Sequence, residues 1–178
     1  FLGKRNTLRN NAMTANMYNF FVGAYYLENY IHDVDTSNTV DGKPIYYWIN
    51  RHDETIPLDA GCVVVVNSSK ITVKNLELTG NQGGILIAFT SNSSIENVIG
   101  RGTASGISLD HSHYNTITGN RITGSRGAGI GLMISTYNRL TSNVIFETTG
   151  AGIWLEDTFS NTVIGNSVAY TIGGSGPQ

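Results

Sequence analysis

Two residue columns recurring every 22 or 23 positions, apolar alternation of period two within each unit, and Gly-rich joints without helical spacing predict an all-β chain. Its architecture is expected to be a right-handed parallel β-helix, a solenoid of about six to seven rungs of 22–23 residues with one inserted loop. The prediction takes residues 1–178 as one domain, with residues 35–60 inserted within one rung.

The first column runs through Gly84-Ile-Leu-Ile87, Gly106-Ile-Ser-Leu109, Gly129-Ile-Gly-Leu132 and Gly152-Ile-Trp-Leu155. The second runs through Asn115-Thr-Ile-Thr-Gly-Asn120, Asn138-Arg-Leu-Thr-Ser-Asn143 and Asn161-Thr-Val-Ile-Gly-Asn166. A leucine-rich repeat has a similar length, but it is dominated by Leu, whereas Ile, Val and Leu are mixed here. Alternating apolar residues mark short strands with one buried face, and stacked rungs rise by about 4.8 Å. The inward columns are therefore expected to be Cys62–Ile85–Ile107–Ile130–Ile153 and Val64–Ile87–Leu109–Leu132–Leu155. A third, from another strand, is Val73–Ile95–Ile117–Leu140–Val163. Asn75, Asn97, Asn120, Asn143 and Asn166 are expected to form a corner ladder, because a stacked Asn satisfies the backbone polar atoms of a tight turn.

The early units are less regular. Asn6-Thr-Leu-Arg-Asn-Asn11 reads as a corner, and Tyr18-Asn-Phe-Phe-Val22 as the strand equivalent to Gly84–Ile87. Ile31 to Ile71 is 40 residues, about 17 more than a rung, and the added stretch carries the turn Asp41-Gly-Lys-Pro44 and then an aromatic strand with Tyr46, Tyr47 and Trp48. Such an insertion is either a lateral bulge covering a sheet edge or part of a binding face.

Composition limits the function. Lys and Arg number 11 against 13 Asp and Glu, a net −2, which gives no cationic footprint for nucleic acid. No apolar run approaches a membrane span, and the lone Cys62 excludes an internal disulfide framework. Neither end carries an obvious polar cap, so the chain is expected to be a piece of a longer array, with further rungs or domains of the parent chain as neighbours.

The Asn-x-Ile-x-x-Asn rungs resemble the NosD-like parallel β-helix repeat, within a broad group of carbohydrate-binding and sugar-hydrolase β-helices. The stretch from Asp35 to Trp48, followed by Asp59-Ala-Gly-Cys-Val-Val-Val-Val66, resembles a segment of β-helix regions in archaeal surface proteins. NosD is associated with periplasmic copper delivery. The resemblance implies this fold and an extracytoplasmic address, at the cell surface or secreted.

Three chemistries compete on the solvent face. Outward columns are expected to be Leu86–Ser108–Gly131–Trp154 and Ala88–Asp110–Met133–Glu156, leaving Trp154 as a platform above small residues. Trp154, Ser108, Asp110, Tyr46, Tyr47 and Trp48 are the candidate ligand-binding residues, for a polysaccharide or cell-surface glycan. Asp110 and Glu156, two rungs apart, are candidate catalytic carboxylates at a spacing admissible for an inverting glycosidase. Asp110-His111 also resembles part of the Asp-Pro-His segment of mannuronan epimerases, without the Pro. Arg101 and Arg126 align one rung apart in turns, away from Asp110. His111 and His113 are the candidate metal pair, with no third ligand demanded by the repeat. The leading expectation is a non-catalytic extracellular scaffold that binds glycan and needs no cofactor.

Overall fold

The structure, a computed structural model, describes residues 3–16, 19–80 and 84–171. Among the described residues every regular element is a strand apart from one 3₁₀ turn at Leu27–Asn29, and the chain coils through about seven turns of parallel β-structure. Among the described residues, no helix is long and apolar enough to cross a membrane.

Five full rungs each contribute three short strands. In the third they are Ile107–Asp110, Thr116–Thr118 and Arg121–Thr123. Equivalent strands pair in parallel, giving an eight-stranded sheet, with one antiparallel pair between Thr39–Val40 and Lys43–Ile49, and two five-stranded sheets that enclose the core. Ile107 is in register with Ile85 and Ile130, and Leu109 with Ile87 and Leu132. These side chains are almost wholly buried, and each contributes roughly 1.5–3 kcal/mol through contacts that only the neighbouring rungs supply. The Val73–Ile95–Ile117–Leu140–Val163 column forms as expected.

Two columns differ by one residue from the sequence reading. Val63, not Cys62, is in register with Ile85, and Val65, not Val64, with Ile87. Cys62 and Val64 therefore face outward. The early steps are 22 residues, and the 23-residue step first appears in the Gly124–Gly129 corner, so counting back by 23 overshoots.

The same slip affects the Asn ladder. Asn120, Asn143 and Asn166 do stack: the Asn120 backbone N–H and Nδ2 donate to Asn143 Oδ1, and the equivalent groups of Asn143 donate to Asn166. Above Asn120, however, comes Val98, whose N–H donates to Asn120 Oδ1. Asn97 instead shares the column of Gly119, where φ is 51° and 65° respectively. Asn75 lies there too, so both supply left-handed backbone rather than ladder rungs. A second ladder, Asn115–Asn138–Asn161, and a hydroxyl column, Thr90–Ser112–Ser135, satisfy the other corners.

The 35–60 stretch is neither a bulge nor a loop for most of its length. Lys43–Ile49 pairs in parallel with Cys62–Val66, and Thr55 bridges Thr72. Each partner is 17 residues further on, so this is a short rung that omits the third strand. Tyr46 and Trp48 point inward and pack on the core at the amino-terminal end of the coil.

Upstream, Thr7–Leu8 pairs with Asp33–Val34 and Ala12–Met13 with Thr39–Val40. The expected Tyr18–Val22 strand does not form over residues 19–22, which have no regular structure; Tyr18 itself lies outside the described residues.

Candidate functional site

The outer face of the eight-stranded sheet changes character along the coil. Val64, Val66, Leu86 and Ala88 make its first part apolar, whereas Ser108, Asp110 and Glu156 make the later part polar. An apolar sheet face requires a cover, and here residues 19–34 supply it. Phe20, Tyr30, Val34 and Tyr47 bury that face in a second apolar cluster, which includes Cys62. Tyr47 therefore lies beneath the covering segment, its hydroxyl donating to the Tyr30 carbonyl at 2.5 Å. Burial pushes the phenols of Tyr47 and Tyr30 well above their usual range, and the Cys62 thiol up to about 12.

Between the covering segment and the sheet lies a cleft of about 400 Å³, with Phe21, Tyr30, Leu86, Ser108, Asp110 and Trp154 among its walls. Trp154 stands at its rim, 47% exposed, with its ring over Gly131 at van der Waals distance from where a Cβ would lie. The expected outward columns are both in register.

Asp110 faces outward as expected but is only 3% exposed. The Tyr30 hydroxyl lies 2.5 Å from its Oδ2 and 2.8 Å from the Ala24 carbonyl, so its single proton favours the nearer, charged acceptor. His111 Nδ1 donates to Asp110 Oδ1 at 2.7 Å, its ring stacked on Phe89 with centroids 4.5 Å apart. Both carboxylate oxygens thus hold protein donors. Glu156 is exposed two rungs away, beyond Met133, so the proposed pair of carboxylates occupies unlike environments. Arg101 is paired with Glu77 at 3.0 Å, and Arg126 lies in a corner.

The other candidates separate. Tyr46 donates to Asp59 at 2.9 Å, and the Arg51 guanidinium lies 5.9 Å from the Trp48 ring, so both aromatics close the coil's end, away from Trp154. The His113 Nδ1 accepts from the Thr136 N–H at 3.2 Å and also contacts its hydroxyl. Burial, reinforced by His111, lowers the His113 pKa.

Sequence reasoning missed Tyr30, which is 80 positions from Asp110. The signal was the run of apolar residues at outward positions in the early rungs. It also missed the exposed, parallel stack of Tyr114 on Tyr137, with centroids 5.0 Å apart.

These features define a β-helical repeat protein with a ligand-sized cleft on one outer sheet. The family described as periplasmic copper-binding protein (NosD) matches residues 36–178, and the chain belongs to it. No curated protein and no solved structure matches the chain. The side chains do not fit the copper that the family description names. Among the described residues, no group of three or more His, Cys, Asp or Glu is placed to hold a metal ion. Cys62 and Met133 line the same cleft but sit four strand positions and three rungs apart, roughly 13 Å along the strands and roughly 14 Å across them.

Proposed function

We propose that the chain is a non-catalytic extracytoplasmic module, a scaffold at the cell surface or secreted, that binds a polysaccharide ring on its outer sheet. The half-exposed Trp154 ring, open on one side and bordering the cleft, carries this reading. A pyranose offers an apolar C–H face to such a ring, while Ser108, two rungs away in the same column, and Glu156, two residues further along the strand, lie nearby for its hydroxyls. The periplasmic description of the family supports an extracytoplasmic address.

A catalytic role for Asp110 and Glu156 has less support, because Tyr30 and His111 already occupy both oxygens of the buried carboxylate. Copper handling rests on the family description alone. Isothermal titration of the whole chain against a panel of glycans tests the binding. Heat with at least one glycan, lost in Trp154→Ala, is the expected result; no heat with any leaves only scaffolding.

A further inference from the structure

Tyr114 and Tyr137 occupy equivalent places in successive corners, two residues before the paired Thr116 and Arg139. Both have left-handed backbone, with φ of 59° and 57°. Beside them the Asn115 N–H donates to Asn138 Oδ1 at 2.8 Å, so the two corners are locked one strand spacing apart, about 4.8 Å. The repeat copies the direction of the side chain as well as the backbone. The two rings lie within 4° of parallel, with centroids 5.0 Å apart. Each is open to solvent, 57% and 54% exposed. Asn92 and Ser160 take the same column in the flanking rungs, so the aromatic stack contains two members and ends.

We infer that Tyr114 and Tyr137 form a site of oxidative cross-linking, where a peroxidase with hydrogen peroxide joins the two rings as a dityrosine that ties one rung to the next. Each phenol gives up one electron and its hydroxyl proton. The two phenoxyl radicals then couple through a new C–C bond between Cε carbons, the ring positions ortho to oxygen. The hydrogens on those two carbons leave as protons and both oxygens regain one, which restores two phenols. The chain has lost two hydrogen atoms. One hydrogen peroxide accepts the two electrons and two protons and becomes two waters.

The stack suits this step for a geometric reason. The unpaired spin of a phenoxyl radical lies above and below the ring plane, so the bond forms between faces, and parallel rings present their faces to each other. Holding both partners in place also makes the coupling unimolecular. Tyr25 and Tyr26 are an internal contrast: they are equally exposed, with centroids 5.1 Å apart, but their planes are 80° apart. Tyr30 and Tyr47 are buried, away from the oxidant. The site does not rely on Trp154 or on glycan binding.

The test treats the whole chain at low concentration with a peroxidase and limiting hydrogen peroxide, while free tyrosine in a parallel reaction confirms that the oxidant works. Within one chain the pair meets at an effective concentration of roughly 1 mM or more, against about 1 µM between chains. The expected product is a monomer with dityrosine fluorescence, lighter by two hydrogen atoms, whose digest contains a peptide linking Tyr114 to Tyr137. Tyr114→Phe and Tyr137→Phe keep the stacked ring and should fold with an unchanged melting temperature, yet each should yield at least about tenfold less of this product. The linked chain should also need more urea to unfold, because the bond closes a loop in the unfolded state. A linkage that maps to Tyr25 and Tyr26, or forms only between chains, would overturn the inference. So would an equal monomeric yield from either folded Phe variant, no dityrosine in the wild type, or an unchanged urea midpoint on linking.

Discussion

Replacing Asn143 by Ala removes four hydrogen bonds at one fully buried position. Its Oδ1 accepts from the Asn120 N–H at 3.0 Å and from Asn120 Nδ2 at 2.9 Å, and its Nδ2 donates to the Ile117 carbonyl at 2.9 Å and to Asn166 Oδ1 at 2.8 Å. The losses are unequal. The Asn120 N–H is left with no partner in a buried corner, at about 2 kcal/mol. Asn120 Nδ2 keeps its bond to the Ile95 carbonyl, so that loss and the one at Ile117 are each about 1 kcal/mol. The bond to the part-buried Asn166 adds little, and the expected destabilisation is about 4 kcal/mol. Asn97→Gly provides the contrast. Asn97 is exposed, its φ is 51°, and glycine accepts that backbone without strain, so the change should be within about 0.5 kcal/mol. Urea denaturation of both variants, followed by circular dichroism, measures the difference. Equal losses would show that Asn97 belongs to the ladder and that the 22-residue register is wrong.

Tyr30→Phe leaves one oxygen of the buried Asp110 carboxylate without its donor, at about 1.5–3 kcal/mol. Faster proteolysis within residues 19–30 and a lower melting temperature are expected; an unchanged cleavage rate would mean that the contact does not hold the covering segment. Cys62 should resist thiol-specific alkylation at pH 8 until the chain is unfolded, and prompt labelling of the native protein would contradict its burial. The raised thiol pKa has a defined consequence for stability. The Cys62 contribution is complete below about 9, the unfolded value, and falls away as pH rises toward about 12. Comparing the urea midpoint of the wild type with that of Cys62→Ala across this window isolates it.

The coil was legible because a repeat states its own geometry: every inward Ile or Leu has a counterpart one rung away. Register was less legible where the period changed. A count of 23 placed Asn97 under Asn120, although the early rungs contain 22 residues and bring Val98 there instead. Trp154 was readable because the last rungs leave their outer face open. The buried state of Asp110 was not, since Tyr30 approaches from a segment without periodicity, whose position is set by the apolar patch at Val64, Val66, Leu86 and Ala88. The burial of Tyr47 is hidden for the same reason, whereas Cys62 is displaced by the change of period from 23 to 22. The strand containing Tyr46 and Trp48 reads as part of an insertion because a 17-residue turn does not match a 23-residue template.

That 17-residue turn also shapes the outline of the molecule. With its third side missing, the bore narrows toward the amino terminus, and two bulky rings are enough to plug it. Beyond it only the two-residue strands Thr39–Val40 and Ala12–Met13 continue the sheet, and Thr39–Val40 runs antiparallel to Lys43–Ile49, so the regular parallel layering gives way at this turn.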